Sequence, residues 1–343
     1  INVSSAINLS GSNAGYSNVA TTNVVLTSSR SINLTSSINT SGSTLSYSGV
    51  GVTGSITLTA SERIYSSSGG TLDAAGGYNP SGSFVRGGDI TLSAASISLG
   101  GSINNRGYNN RSVLGDAGNI GISTTNTATT AGVNDGQVSG VITGGNFTKS
   151  GSGTFILKSV NTYIGTTTVS GGTLQLGSSN ALPTSTALTV SGGAVFDLFS
   201  FSSTVGSIAG GGTIRSSSVS STPVLTTGDW SSTTFSGVIE NGLATSVSLI
   251  KTGNGVLTLT GSSSYTGSTS INTGVINIRH ANALGVSSTT TVASGATLQL
   301  QGGIAVGALP LTLKGVGGGS GALRNISGNN SWGGTITMET PAV

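Results

Sequence analysis

The sequence has 343 residues with 57 glycines, 5 prolines and no cysteine, and charged residues make up only 6% of it. The lack of cysteine excludes disulfide bridges and thiolate metal sites, and a net charge of +3 spread thinly over the chain argues against a nucleic-acid-binding protein. Apolar residues, 35% of the chain, are too many for a disordered linker, but they stand singly or in pairs, so no transmembrane segment is predicted.

Short strands are predicted along the whole chain. Segments of four residues alternate an apolar side chain with Ser, Thr, Asn or Gln, which is the pattern of a strand with one buried and one wet face. Dipeptides such as Ser-Gly and Gly-Gly stand between them and indicate turns. No segment has the apolar spacing of a helix, so we predict an all-β protein. The clearest segments are residues 6–9, 31–34, 55–58, 89–92, 173–176 and 297–300.

The C-terminal part of the chain contains a long internal repeat. A shift of 102 residues aligns residues 149–198 with residues 251–300 without a gap, and 17 of these 50 positions are identical. The same shift places Trp230 on Trp332, the two tryptophans of the chain. Repetition of short strands favours a solenoid of stacked coils over a sandwich or a barrel.

A weaker internal similarity occurs in the N-terminal part, where residues 31–39 resemble residues 96–104. Stacked coils produce such spacing, because each strand lies about 4.8 Å above the equivalent strand of the preceding coil. We expect coils of about 20–25 residues, one continuous solenoid, and a chain that is part of a longer protein.

Residues 149–176 resemble the passenger-associated transport repeat of autotransporters, whose pattern is K-x-G-x-G-x-L-x-L, N-x-Y-x-G-x-T-x-V and G-x-L-x-L. Residues 251–278 resemble it a second time, with Ser263 where the family has the asparagine that Asn161 supplies in the first copy. The residues that carry the resemblance are Lys149, Gly151, Gly153, Tyr163, Gly165 and Gly172, and Lys251, Gly253, Gly255, Tyr265, Gly267 and Gly274.

We interpret these repeat residues as structural. Gly151 and Gly153 suit a positive φ or a close backbone approach at a coil corner. The tyrosines suit the wall of the coil or a turn, with the hydroxyl reaching a carbonyl, and Asn180 and Asn282 suit stacked turns. The alternative is a lectin-like surface that uses the tyrosines.

Residues 88–104 are similar to coils of filamentous-haemagglutinin-type exoproteins, which leave the cell by two-partner secretion. Both resemblances imply a right-handed parallel β-helix that is extracellular, on a Gram-negative cell surface. They also imply adhesion or aggregation as the role. The partners they imply are an outer-membrane transporter during secretion, and either copies of the protein itself or a glycan or protein of the host surface or matrix.

Catalytic, cofactor and metal sites are not predicted. The nine acidic residues are widely spaced, and the pair that one coil could bring together, Asp116 and Asp135, sits beside glycines in turn-like segments. A β-helix enzyme acting on polysaccharides needs clustered carboxylates. The single histidine, His280, follows a strand and suits a surface turn. It cannot form a histidine metal cluster.

The sequence predicts haemagglutinin-like coils in residues 1–135, the first transport-type repeat in residues 136–237 and the second in residues 238–343. The predicted function is a structural and adhesive stalk segment of a secreted surface protein, without enzymatic activity. Two alternatives stay open, an extracellular structural filament without a specific receptor and a polysaccharide-active enzyme.

Overall fold

The computed structural model describes residues 1–8, 23–41, 51–52, 54–76, 85–107, 117–125, 136–319 and 321–339. It divides into two compact units, Ile1–Pro183 and Thr184–Val343. The predicted domain divisions after residues 135 and 237 fall inside these units and stay predictions. The described residues form strands and turns without a helix, and so none of them forms a helix that could span a membrane.

The first unit contains twenty short strands. They are β1 (Asn2–Val3), β2 (Ile7–Asn8), β3 (Val24–Ser28), β4 (Ser31–Leu34), β5 (Ile38–Asn39), β6 (Gly51–Val52), β7 (Ile56–Ala60), β8 (Arg63–Ser66), β9 (Leu72–Asp73), β10 (Val85–Arg86), β11 (Ile90–Ala94), β12 (Ser96–Leu99), β13 (Ile103–Asn104), β14 (Ile120–Thr124), β15 (Gly136–Val138), β16 (Ile142–Thr143), β17 (Phe147–Ser150), β18 (Thr154–Leu157), β19 (Thr167–Val169) and β20 (Thr173–Leu176).

The strands of the first unit form three long sheets and one two-stranded pair, β6-β10. The first sheet has the order β1-β4-β8-β12-β15-β18-β20, the second β3-β7-β11-β14-β17-β19, and the third β2-β5-β9-β13-β16. All the described pairings are parallel, and each joins a strand to the equivalent strand of the next coil. The first unit is therefore a parallel β-helix, as predicted.

The second unit contains nineteen strands. They are β21 (Ala187–Val190), β22 (Val195–Asp197), β23 (Ser203–Val205), β24 (Ser207–Ala209), β25 (Thr213–Ser216), β26 (Val224–Thr227), β27 (Thr233–Phe235), β28 (Val238–Gly242), β29 (Ser248–Lys251), β30 (Val256–Leu259), β31 (Thr269–Ile271), β32 (Val275–Ile278), β33 (Thr290–Val292), β34 (Thr297–Gln301), β35 (Ala305–Val306), β36 (Leu311–Lys314), β37 (Leu323–Ser327), β38 (Ser331–Trp332) and β39 (Ile336–Glu339).

The second unit is also built from parallel pairs that link successive coils. Its two longest sheets have the orders β23-β26-β29-β31-β33-β36-β39 and β27-β30-β32-β34-β37. The shorter sets are β22-β25-β28, β21-β24 and β35-β38. Strand pairing between coils supplies hydrogen-bond partners to the backbone N–H and C=O groups of each strand. The inward side chains stack into apolar columns.

The strand predictions are confirmed. The predicted segments 31–34 and 173–176 coincide with β4 and β20, and the other four overlap strands. Alternate side chains of β7 point inward, as the period of two requires: Ile56, Leu58 and Ala60 are buried, whereas Thr57 and Thr59 are partly exposed.

The predicted coil length is wrong for the N-terminal part. Residue 24 pairs with 56, 56 with 90, 90 with 120 and 120 with 147, so these coils contain 32, 34, 30 and 27 residues. The step from residue 147 to residue 167 is 20 residues. The coils shorten where the first transport-type repeat begins. The matching segments 31–34 and 96–99 lie two coils apart, with β8 between them.

Candidate functional site

The two repeat lysines lie inside the coils. Lys149 faces inward from β17, where its neighbours in register are Ile122 and Val169, and Lys251 occupies the same position on β29, beside Ile271. Both side chains are fully or almost fully buried, at 0% and 2% exposure. A charged amine in an apolar column is costly unless its hydrogen bonds are satisfied.

Backbone carbonyls at the coil corners accept hydrogen bonds from both lysine amines. Nζ of Lys149 donates to the carbonyl oxygens of Ser150 (2.6 Å), Gly151 (3.1 Å) and Gly171 (3.2 Å). Nζ of Lys251 donates to the corresponding carbonyls of Thr252 and Gly253, the latter at 2.7 Å. Each lysine thus closes the turn that follows its own strand.

Burial lowers the pKa of both Lys149 and Lys251 from 10.5 to about 8, and for Lys251 the charge of Asp229 partly opposes the shift. Between about pH 8 and 10.5 the unfolded chain therefore binds more protons than the folded chain, so stability rises with pH in this window and falls as pH drops through 8. We expect the urea midpoint of the chain to increase from pH 8 to 9.5.

The double variant Lys149→Met, Lys251→Met isolates this effect. Its urea midpoint should change less between pH 8 and 9.5 than that of the parent chain, because methionine has nothing to titrate. The surface variant Lys158→Met is the matched control and should keep the parent's pH dependence. Equal pH dependence in the parent and the double variant would contradict the expectation.

The repeat glycines occupy positions where a side chain does not fit. Gly151 and Gly253 have φ of +72° and +65°, and a Cβ on either would overlap a carbonyl oxygen of the preceding coil. Gly172 and Gly274, with φ of +61° and +69°, lie directly against the glycines of the K-x-G-x-G segment one coil earlier. A left-handed backbone combined with close stacking needs glycine.

The remaining motif glycines also serve close contacts. A Cβ on Gly165 would overlap the Asn146 side chain, and one on Gly255 or Gly267 would overlap a backbone carbonyl. Gly153 joins two coils through its backbone, since its amide donates to the Thr124 carbonyl (2.8 Å) and its carbonyl accepts from Thr173 (3.1 Å). Its φ is not positive, in contrast to that of Gly151.

The two repeat tyrosines are core residues. Tyr163 and Tyr265 are 1% and 0% exposed, and burial raises the pKa of both hydroxyls above its ordinary value. Their hydroxyls meet the hydroxyls of Thr167 and Thr269, the latter at 2.8 Å, and not a carbonyl as predicted. Side chains buried to this extent are not available for the lectin-like role.

The tyrosine–threonine pairs were missed although the sequence contains a signal for them. Thr167 and Thr269 follow the tyrosines by four residues in both copies, and both are identical at the 102-residue shift. In the second copy the network continues, because the Thr269 hydroxyl bonds Ser287 (3.3 Å), which donates to the carbonyl of Gly267 (2.8 Å). The pairs let the apolar interior hold two phenols without unsatisfied hydroxyls.

The asparagine of the first repeat connects three coils. Oδ1 of Asn161 accepts from the Ile142 amide (2.7 Å) in the preceding coil, and its Nδ2 donates to the carbonyls of Ser159 (3.0 Å) and Ala181 (2.7 Å). In the second copy Ser263 accepts from the Ile239 amide (3.2 Å) through its hydroxyl. Serine thus keeps the bond to the preceding coil and lacks the amide donor.

Asn161→Ala is therefore expected to destabilise the chain more than Ser263→Ala. Both changes leave one buried amide without its partner, at about 1–3 kcal/mol. Asn161→Ala also removes the side-chain bonds to the carbonyls of Ser159 and Ala181, although the Ala181 carbonyl keeps its bond from the Asn161 backbone amide (3.3 Å). Urea unfolding of both variants measures the difference. Equal losses would show that the amide bonds to Ser159 and Ala181 contribute little.

Acidic side chains do not converge in the described residues. Four of them form ion pairs with arginine or lysine, and three accept hydrogen bonds from turns, as the buried Asp197 does from the Phe199 and Ser217 amides (2.8 and 2.9 Å). The four are Glu62, Asp89, Glu240 and Glu339, and the others are Asp73, Asp197 and Asp229. Asp116 and Asp135 lie outside the described residues.

His280 lies in a turn, where its Nδ1 accepts from the Asn282 amide (3.0 Å). Among the described residues, no group of three or more His, Cys, Asp or Glu side chains could hold a metal ion.

Comparison with known proteins identifies both repeat segments. The family model named passenger-associated-transport-repeat matches residues 147–176 and 249–278. The chain is also 40% identical over 159 residues to the adhesin BmaC autotransporter of Brucella suis biovar 1 (strain 1330). That match covers 45% of this chain and 4% of the relative, so the chain spans only a small part of the relative's length. No solved structure matches the chain.

The haemagglutinin-type resemblance of the N-terminal part has no counterpart in these matches and stays a prediction. The predicted repeat and localisation are confirmed. The chain carries two passenger-associated transport repeats, is similar to an autotransporter adhesin, and is an extracellular protein of the Gram-negative cell surface.

Proposed function

We propose that this chain is a structural and adhesive segment of a secreted passenger and has no enzymatic activity. The observation that carries the proposal is the difference between the inward and the outward side chains of the strands. The repeat lysines and tyrosines and most apolar strand residues face inward, whereas many outward positions carry hydroxyl side chains that stack in register as ladders. One ladder contains Thr57 beside Thr91, and Thr148 beside Thr168. Such a wall can make many weak polar contacts.

The proposal is supported by the family of the repeats and by the printed name of the relative, an adhesin. The engagement of the described acidic residues in ion pairs and turns favours a non-catalytic role, because general acid–base chemistry needs available carboxylates. By analogy with autotransporters, we propose an outer-membrane transporter as the partner during secretion. Outside the cell we propose a host or matrix surface, or further copies of the chain, as partners.

The adhesive role can be tested with beads that carry the purified, folded chain. We expect them to attach to immobilised extracellular matrix or to aggregate with one another more than beads carrying serum albumin do. If they do neither, the adhesive role is overturned and the filament without a receptor is favoured. Release of new reducing ends from polysaccharides by the chain would instead overturn the non-enzymatic part of the proposal.

A further inference from the structure

The first sheet of the first unit carries an exposed tyrosine within a polar ladder. The outward side chains of β4, β8, β12 and β15 lie in register, so Tyr65 stands between Asn33 and Ser98, and Gln137 follows Ser98. Neighbouring strands are about 4.8 Å apart. Tyr65 is 46% exposed, whereas the two repeat tyrosines are buried. An aromatic ring at this position presents a flat apolar face to the solvent.

An arginine without a carboxylate partner lies beside this ring. Arg63 is on the same strand two residues before Tyr65, so both side chains point to the same outward face. The adjacent carboxylate, Glu62, is engaged elsewhere, since it pairs with Arg30 (3.6 Å) and accepts from the Ser31 hydroxyl (3.1 Å). Within the part of the chain that the structure describes, no acidic side chain lies within 4.0 Å of the Arg63 guanidinium.

Four other described arginines and lysines form ion pairs with carboxylates, among them Arg30 with Glu62 (3.6 Å) and Arg215 with Glu240 (3.9 Å). Arg86 pairs with Asp89 (3.4 Å) and Lys314 with Glu339 (3.2 Å). The two inward lysines are held by backbone carbonyls. Among the described residues, Arg106, Lys158, Arg279 and Arg324 also lack a carboxylate within 4.0 Å. Arg63 lies in register between Ser31 and Ser96 and shares the outward face of its strand with the exposed ring of Tyr65.

We propose that this surface, formed by Asn33, Arg63, Tyr65, Ser98 and Gln137, binds an extended glycan that carries carboxylate groups. The ring face of Tyr65 would stack on the apolar face of a sugar. The side chains of Ser98 and Gln137, which bond each other (3.4 Å), carry further donors and acceptors that match sugar hydroxyls, whereas Oδ1 of Asn33 is buried. The forked guanidinium of Arg63 binds a carboxylate through two parallel hydrogen bonds. The ladder runs from coil to coil, so an elongated ligand can follow it.

A peptide ligand fits this surface less well. Strand β8 is paired on both sides, by β4 and β12, so it offers no free edge for strand addition. The centre of a protein interface is enriched in apolar and aromatic residues, whereas this ladder offers a single ring among hydroxyls and amides. The ladder therefore favours a hydroxyl-rich ligand. This inference rests on the proposed adhesive function and names the class of ligand.

Calorimetric titration of the purified 343-residue chain tests the site directly. Oligosaccharides of alternating glucuronic acid and N-acetylglucosamine should bind more tightly than neutral N-acetylglucosamine oligomers of the same length. Arg63→Gln should remove that preference, and Tyr65→Ala should weaken both ligands about tenfold or more, a loss of roughly 1.4 kcal/mol. Tyr65→Phe should keep most of the affinity. Higher salt should reduce the preference for the acidic ligand.

The control variant is Val25→Ser, which changes an exposed outward residue on the second sheet. It should bind as the parent does, and all the variants should share the parent's urea midpoint because the substituted side chains are exposed. The proposal is overturned if neither glycan binds, if both bind equally, or if Tyr65→Ala binds like the parent. Attachment of the beads that is insensitive to Tyr65→Ala would leave adhesion intact and refute only the glycan site.

Discussion

Replacing Tyr265 by alanine is expected to reduce the free energy of unfolding by about 3–5 kcal/mol, the range for deleting a buried aromatic side chain. The ring is 0% exposed, and its hydroxyl anchors Thr269 at 2.8 Å, which in turn bonds Ser287 at 3.3 Å. The substitution removes both the packing and the start of this hydrogen-bonded chain. Urea unfolding followed by circular dichroism measures the loss.

Two further variants separate packing from hydrogen bonding. Tyr265→Phe keeps the ring and removes only the hydroxyl, so it should cost about 1 kcal/mol. Trp230→Ala removes a larger ring that is 83% exposed, and it should change stability by less than about 0.5 kcal/mol. If Trp230→Ala were as destabilising as Tyr265→Ala, the burial assigned to the repeat tyrosine would be wrong.

The sequence predicts the strands well because their periodicity reflects burial directly. In β4 and β20 the predicted and observed bounds coincide, since inward and outward residues alternate there without exception. The class of fold follows from the same alternation together with the 102-residue repeat, because only stacked coils place matching strands over one another many times.

The lengths of the N-terminal coils could not be predicted in this way. Strands β3 and β7 stack although 32 residues separate Val24 from Ile56. Parallel register depends on which strands stack, and the Gly-, Ser- and Asn-rich segments between strands can lengthen without changing the inward columns. The similar segments 31–34 and 96–99 therefore lie two coils apart. Composition alone could not show that β8 lies between them.

The burial of the repeat lysines could not be predicted from the sequence either. Lysine is rarely buried, so an outward position is the ordinary expectation for Lys149 and Lys251. Their inward position depends on a corner whose carbonyl oxygens converge, and that corner depends in turn on Gly151 and Gly253 in the left-handed conformation. The pattern K-x-G is thus one structural unit in which the lysine binds the turn that the glycine makes possible.

The glycine of this unit should be the second sensitive position. Gly253→Ala is expected to destabilise the chain by about 2–5 kcal/mol, because the positive φ costs roughly 1–2 kcal/mol and overpacking adds roughly 1–3 kcal/mol. The new Cβ would overlap the backbone oxygen of Asp229 in the preceding coil. Displacement of this turn would also move the carbonyl that accepts from Lys251.

Two other glycines of the second unit separate these causes. Gly295 has φ of +82° with nothing within 4 Å of an added Cβ, so Gly295→Ala should show the conformational cost alone, about 1–2 kcal/mol. Gly255 lacks a positive φ but its Cβ would overlap the Ser231 carbonyl, so Gly255→Ala should show the steric cost alone. The urea midpoint of Gly253→Ala should lie below both. If it matched that of Gly295→Ala, close stacking of the coils at this corner would not be what requires glycine.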